Sequence, residues 1–91
     1  GQLRLAVGAE EGALRDLQRA VKQRPKDRRG REVLASAYAR RGLRRAQGGD
    51  LRGALVDFRA ALVSAPREWK RRHQVEAMAR KATRELGLGG R

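Results

Sequence analysis

The chain contains no cysteine, which excludes disulfide bonds and thiolate metal sites among its 91 residues. Aromatic residues are almost as scarce, because Tyr38, Phe58 and Trp69 are the only three. Much of the 40% apolar content is alanine, so a core must come from close helix contact rather than from bulky side chains. A chain of this length forms one domain at most and buries only about 60 to 65% of its unfolded surface. We therefore expect modest stability.

Long apolar runs are also missing. None approaches the roughly 18 residues that a membrane-spanning helix needs, and the first residues lack the continuous apolar core of a signal peptide. Together with the absence of cysteine, which is compatible with a reducing compartment, this favours a soluble chain in the cytoplasm.

Groups that could carry catalysis are few. His73 is the only histidine, it stands between basic neighbours, and no serine or cysteine nucleophile accompanies it. The carboxylates are dispersed along the chain rather than clustered as metal ligands. We expect no enzyme activity, no cofactor and no metal site.

Positive charge is what the chain has in excess, with 23 Lys and Arg against 10 Asp and Glu and a net charge of +13. Such a field favours acidic partners, namely nucleic acid, an anionic membrane or an acidic peptide. Only four of the basic residues are lysine, and a composition rich in Arg, Ala and Gly also reflects GC-rich coding. Charge alone therefore does not establish a binding role.

One stretch, "GGDLRGALVDFRAALVSAPRE", predicts a helix because its apolar residues step by three and four. Asp50 can cap its first turn, and Pro66 ends it. Ala54 and Ala61, seven residues apart on the apolar face, leave a slot in which another helix backbone can come close. The same pattern occurs 41 residues earlier in "EEGALRDLQRAVKQRPKD".

Periodicity and punctuation predict four helices, over residues 9–23, 27–47, 50–65 and 68–86, and no strand. Short turns between them favour antiparallel neighbours in an all-α fold. The predicted apolar stripe of the second helix contains Leu34, Ala37, Tyr38 and Leu43. That of the fourth contains Val75, Met78, Ala79, Ala82 and Leu86.

The third helix, with Gly-Asp-Leu-x-x-Ala-Leu-x-x-Phe-x-x-Ala-Leu-x-x-x-Pro, resembles the second helix of a tetratricopeptide repeat. "LASAYARRG" resembles the first helix of that repeat, although Arg31 stands where the family has Trp. The offset of 41 exceeds the family's period of about 34. A first helix continued past Gly42 to about Gln47 would keep its core face, because seven residues are two turns to within about 20°.

The resemblance implies a helical hairpin repeat with a capping helix. It divides the chain into a partial first repeat over 1–25 with a turn at Gly8, a lengthened second repeat over 26–66, a final helix over 67–86 and a flexible tail over 87–91.

Net positive charge is concentrated in the helices that correspond to first helices of repeats. Residues 26–49 hold eight basic and two acidic side chains, and residues 67–86 hold seven and three, whereas 9–23 and 50–65 are neutral. In the family the first helices line a concave groove that holds peptides. The resemblance therefore implies a scaffold that binds an acidic protein segment through groove-facing positions. The partner-binding candidates are Arg29, Arg40, Lys70, His73, Arg80 and Lys81. The family's carboxylate clamp is not expected, since Val33 and Gln74 replace two of its polar residues.

Other interpretations stay open. Basic helices with few aromatics suit contact with an RNA or DNA backbone. About three repeats are usually needed for stability, so the chain could be a piece of a larger solenoid or a homo-oligomer. The pattern also fits a small four-helix bundle, and the arginines fit a solvated face whose stems cover apolar surface. Residues 66–86 fit, more weakly, a basic helix that lies on a membrane or enters a calmodulin groove. Trp69 is expected to pack against the preceding helix.

Overall fold

A computed structural model describes residues 2–87 and the side chains from residue 8 onward. These residues form four helices and no strand, which confirms the all-α prediction. The helices are α1 (Gln2–Gln23), α2 (Arg28–Gln47), α3 (Leu51–Ser64) and α4 (Arg72–Glu85). None of the described helices combines the length and the apolar character that a membrane crossing requires. The tail expected over 87–91 lies, apart from Gly87, outside the described residues.

The predicted ends of α2 and α3 are confirmed by their capping contacts. Asp27 accepts a hydrogen bond from the Arg29 backbone N–H at 3.1 Å, and Asp50 accepts one from that of Gly53 at 2.9 Å. Each carboxylate satisfies a donor that the first helical turn leaves without a backbone partner. At the other end of α2, Gly49 has a φ of 90°, a conformation that suits glycine. The second helix thus continues five residues past Gly42, to Gln47, whereas the sequence leaves open whether residues 42–49 are helix or loop.

The predicted turn at Gly8 is wrong, because α1 is continuous from Gln2 to Gln23. A glycine inside a helix costs only about 1 kcal/mol relative to alanine. No proline or capping residue near Gly8 offers the chain an alternative to helix.

The fourth helix begins at Arg72, four residues later than the sequence predicts. Before it the chain makes two tight turns, in which the Trp69 N–H donates to the Pro66 carbonyl and the Arg72 N–H to the Trp69 carbonyl, both at 3.1 Å. These turns place the Trp69 ring in the core, where it is 7% exposed. Burial of so large a ring favours the turn over an earlier helix start. Lys70 consequently lies in the turn and not on α4.

Consecutive helices run antiparallel, as contacting residue numbers show. Along α1 and α2, Glu10 pairs with Arg44 and Gln18 with Tyr38, so one number rises as the other falls. The most extensive contact joins α2 to α3, and α4 then packs on α3.

Small residues form the seam between α2 and α3. Ala35, Ala39, Ala54 and Ala61 are each at most 1% exposed, so the predicted slot at Ala54 and Ala61 is filled by α2. Gly42 extends the seam, because a Cβ there would lie 2.8 Å from Phe58 Cε1. Close backbone approach replaces bulky side chains in this core.

Burial does not follow the sequence repeat in α1. Of its described side chains only Leu14 is buried, whereas Ala13 is exposed and Leu17 half-buried. The cause is that α1 packs on α2, while α3 lies between α2 and α4. The α2 stripe also differs from prediction, since Leu43 is 43% exposed and the small residues carry the contact. The α4 stripe is confirmed at Val75 and Ala82, which are buried.

Candidate partner-binding groove

The basic side chains divide into a group that makes ion pairs or hydrogen bonds within the fold and a group for which the described residues provide no such partner. The first group pairs with carboxylates or caps backbone carbonyls, and its members are Arg28, Arg31, Arg41, Arg44, Arg45 and Arg72. Most arginines of α2 belong to it. Much of the charge that the sequence offers to a partner is therefore engaged in holding the helices together.

Asp57 is the centre of a buried ionic network. Its carboxylate is fully buried and accepts hydrogen bonds from Arg41 Nε at 2.9 Å and Nη2 at 2.7 Å, and from Arg45 Nη1 at 3.2 Å. Arg41 also donates to both oxygens of Glu11, at 2.8 and 3.1 Å. Hydrogen bonding to Asp57 raises the Arg41 pKa above its ordinary value, although burial opposes the shift. The network links α1, α2 and α3.

Two arginines satisfy the carbonyl end of α3. Arg31 donates to the Ser64 and Ala65 carbonyls at 3.0 and 3.3 Å, and Arg72 donates to those of Ala65 and Pro66 at 3.1 and 3.0 Å. Positive charge at this end complements both the helix dipole and the carbonyls that lack intrahelical donors. Arg31 therefore has a structural role.

A groove of about 540 Å³ opens between α1, α2 and the turn that precedes α4. We call it the Arg40 groove. Its apolar lining comes from Ala13, Leu17, Val33, Ala37 and Trp69. Its polar lining comes from Glu32, Ser36, Arg40, Lys70 and Arg71. Ala13 and Leu17, which α2 leaves at least partly exposed, thus form the α1 wall of the groove.

Some charged side chains of the Arg40 groove interact within the fold and others do not. Arg40 and Lys70 are exposed and make no ion pair with any residue that the structure describes. The Arg71 guanidinium lies 5.8 Å from the centroid of the Trp69 ring, a cation–π distance. Glu32 is the single carboxylate of the lining. The groove can therefore attract an anionic group while its floor accepts apolar side chains.

The six sequence-predicted site residues do not share one groove. Arg40 and Lys70 come together, as just described. Arg80 lines a groove between α3 and α4, and Lys81 lines a recess near the end of α2. His73 is almost fully exposed, with its Nδ1 at 3.5 Å from Glu76 Oε1. Arg29 is exposed at the start of α2 and lines none of these three.

Sequence reasoning missed two elements of this region. Arg71 joins the groove because of the turn at 66–71, which no periodicity indicates. Asp57 did leave a signal, since it stands three residues after Ala54 and four before Ala61, on the face predicted to be buried. A carboxylate at such a position requires a cationic partner.

Comparison of the chain with protein-family models, curated proteins and solved structures finds no match. The tetratricopeptide assignment therefore depends on the residues that carry the resemblance, and it stays a prediction.

Proposed function

We propose that the chain is a helical protein–protein interaction module, of the tetratricopeptide type, that binds an acidic segment of another protein in the Arg40 groove. The observation that carries the proposal is the position of Arg40 and Lys70, which lack ionic partners among the described residues and border an apolar floor. Arginine can bind a carboxylate with two parallel hydrogen bonds, and lysine adds a second point charge.

The apolar floor favours a peptide over nucleic acid as the occupant. A peptide can place alternate side chains against Leu17, Val33 and Ala37, while its carboxylates reach the basic rim. A phosphate backbone would use only the rim. RNA binding remains the second candidate because the net charge of +13 exceeds what one groove accounts for.

A role in binding rather than in catalysis agrees with the surroundings of the only histidine. His73 stands in solvent on α4 beside Glu76, outside the three grooves described above. A cytoplasmic location is proposed on the cysteine-free composition alone.

A fluorescence titration tests the proposal, because Trp69 lines the groove and is the only tryptophan. The probe is a flexible peptide of glutamate and leucine, and the reference is the same peptide with glutamine in place of glutamate. We expect the acidic peptide to change Trp69 emission and to bind more tightly. Arg40→Glu and Lys70→Glu should each weaken that binding several-fold, since each replaces an attraction with a repulsion.

The matched control is Arg15→Glu, an equal charge reversal at an exposed residue of α1 that lines neither the Arg40 groove nor the groove between α3 and α4. Equal affinity for the two peptides, or equal loss in the control variant, contradicts the site. A parallel titration with single-stranded RNA addresses the second candidate. Tighter binding of RNA than of the peptide, with an affinity that falls linearly in log-log form with salt, would favour nucleic acid.

A further inference from the structure

The outer face of α3 alternates exposed arginine with exposed valine, at Arg52, Val56, Arg59 and Val63. Val56 is 63% exposed and Val63 82%, and they lie seven residues apart on one face. The opposite face carries the seam of Ala54, Phe58 and Ala61. The helix α3 thus presents apolar side chains on its outer face as well as on the face that packs in the core. The outer face of α3 therefore has the character of a contact surface.

A groove between α3 and α4 lies next to this face. The groove measures about 760 Å³, and its floor is formed by Leu55 and Leu62 of α3 and Ala79 of α4. Thr83 adds no free polar donor to the floor, because its hydroxyl donates to the Ala79 carbonyl at 2.8 Å. Val56 and Val63 lie beside this groove on the outer side of α3, with Arg59 between them and the groove floor. We call the two valines and the groove together the α3–α4 face.

Arginines border the α3–α4 face without internal partners. Arg59, Arg80 and Arg84 line the groove and are exposed, and none pairs with a carboxylate among residues 8–87. The arginines that hold the fold together are, in contrast, all paired or capping. Glu76 is the single carboxylate of the groove lining.

We propose that the α3–α4 face binds an acidic amphipathic helix of a partner protein. The floor accepts apolar residues spaced by three and four along such a helix, and the three arginines match carboxylates that flank its apolar stripe. The lining runs over two helical turns of both α3 and α4, which is the length that a docked helix can follow. A second copy of this chain fits poorly, since the groove lining has three arginines and one glutamate, so two such faces would bring together net positive charge.

This surface is separate from the Arg40 groove, because the two share no lining residue. The inference therefore does not depend on the proposed function. Either surface can fail its test while the other passes.

The test measures binding of a labelled helical peptide by fluorescence anisotropy. The peptide carries leucines at positions spaced by three and four and glutamates beside them, and a scrambled peptide keeps its composition and charge. We expect the helical peptide to bind about tenfold more tightly, because only it presents an apolar stripe. Arg59→Glu with Arg80→Glu should weaken binding by a similar factor, since two attractions become repulsions.

A second pair of variants separates apolar docking from attraction by charge alone. Val56→Ser with Val63→Ser leaves every charge in place and should weaken peptide binding several-fold, and both residues are exposed enough to be changed without unfolding. Leu43→Ser is the matched control, because Leu43 is 43% exposed and lines neither the α3–α4 groove nor the Arg40 groove. Thermal unfolding of each variant checks the fold.

Three outcomes overturn the proposal. The first is equal binding of the scrambled peptide. The second is unchanged affinity in the Val56 and Val63 variant. The third is displacement of the peptide by a single-stranded RNA whose own affinity is unchanged by the Val56 and Val63 substitutions. That result would show that the arginines attract a polyanion and that the apolar residues of the α3–α4 face do not contribute.

Discussion

The Arg41 guanidinium and the Asp57 carboxylate are joined by hydrogen bonds of 2.9 and 2.7 Å at a place where Asp57 has no exposed surface. Asp57 stands in the middle of an otherwise apolar helix face, and Arg41 reaches it from α2 while binding Glu11 of α1. A buried charge of this kind is tolerated only when its partners are in place. The pair therefore fixes how three helices meet.

Asp57→Ala is expected to lower the free energy of unfolding by about 3 kcal/mol, because it leaves Arg41 largely buried with one of its two carboxylates gone. The exposed pair of Arg28 and Glu68 provides the control, since Glu68→Ala should cost less than about 1 kcal/mol. Urea unfolding followed by circular dichroism measures both values. Equal losses in the two variants would contradict the central position of Asp57.

Gly42→Ala should destabilise the protein although alanine is the better helix former. The added Cβ would meet Phe58 Cε1 at 2.8 Å and Asp57 Cβ at 3.1 Å. Overpacking of this kind costs about 1 to 3 kcal/mol, more than the helix propensity of alanine returns. Gly12→Ala in α1 is the matched substitution, because a Cβ there meets no atom within 4 Å. It should stabilise the protein by about 0.5 to 1 kcal/mol, and thermal melts of the two variants should shift in opposite directions.

Asp50→Ala should cost about 1 kcal/mol, because the Gly53 N–H loses its acceptor at the start of α3. Asp50→Ser restores an oxygen in the capping position, so it should recover most of the loss. Denaturant midpoints of the three proteins check the order. A serine variant no more stable than the alanine variant would mean that the cap contributes little.

Trp69 should emit as a shielded residue, because its side chain is largely buried between α2, α3 and α4. We expect weak quenching of its fluorescence by iodide in the native state and strong quenching after unfolding. Trp69→Ala should cost about 3 kcal/mol by leaving a cavity. Strong quenching in the folded protein would place the ring at the surface and remove the reason for the late start of α4.

The sequence leaves open whether α2 continues past Gly42, because Gly42 and Gly49 can each mark the turn. The start of α2 and both ends of α3 could be predicted almost to the residue, because capping aspartates and a proline mark them locally. The start of α4 could not be predicted in this way, because the turn at 66–71 is stabilised by burial of Trp69 among residues that are distant in sequence. The turn expected at Gly8 is absent for a related reason, because a glycine indicates a turn only when the chain gains contacts by turning. Of the candidate site, Arg40 and Lys70 do share a groove as the resemblance implies, although Lys70 reaches it from the turn and not from α4. The contribution of Arg71 and the separate positions of Arg80 and Lys81 could not be predicted.

The sequence by itself determined that the chain is all-α, where α2 begins, where α3 begins and ends, and that Ala54 and Ala61 lie on the packed face of α3. These properties depend on spacing and on contacts within a few residues. Only the tertiary structure decided which charges remain for a partner. Arg41, Arg45 and Arg40 look alike as neighbours on one basic helix, yet two of them bind Asp57 across the seam and the third faces a groove. That distinction depends on which face of α2 meets α3, and no count of charge along the chain contains it.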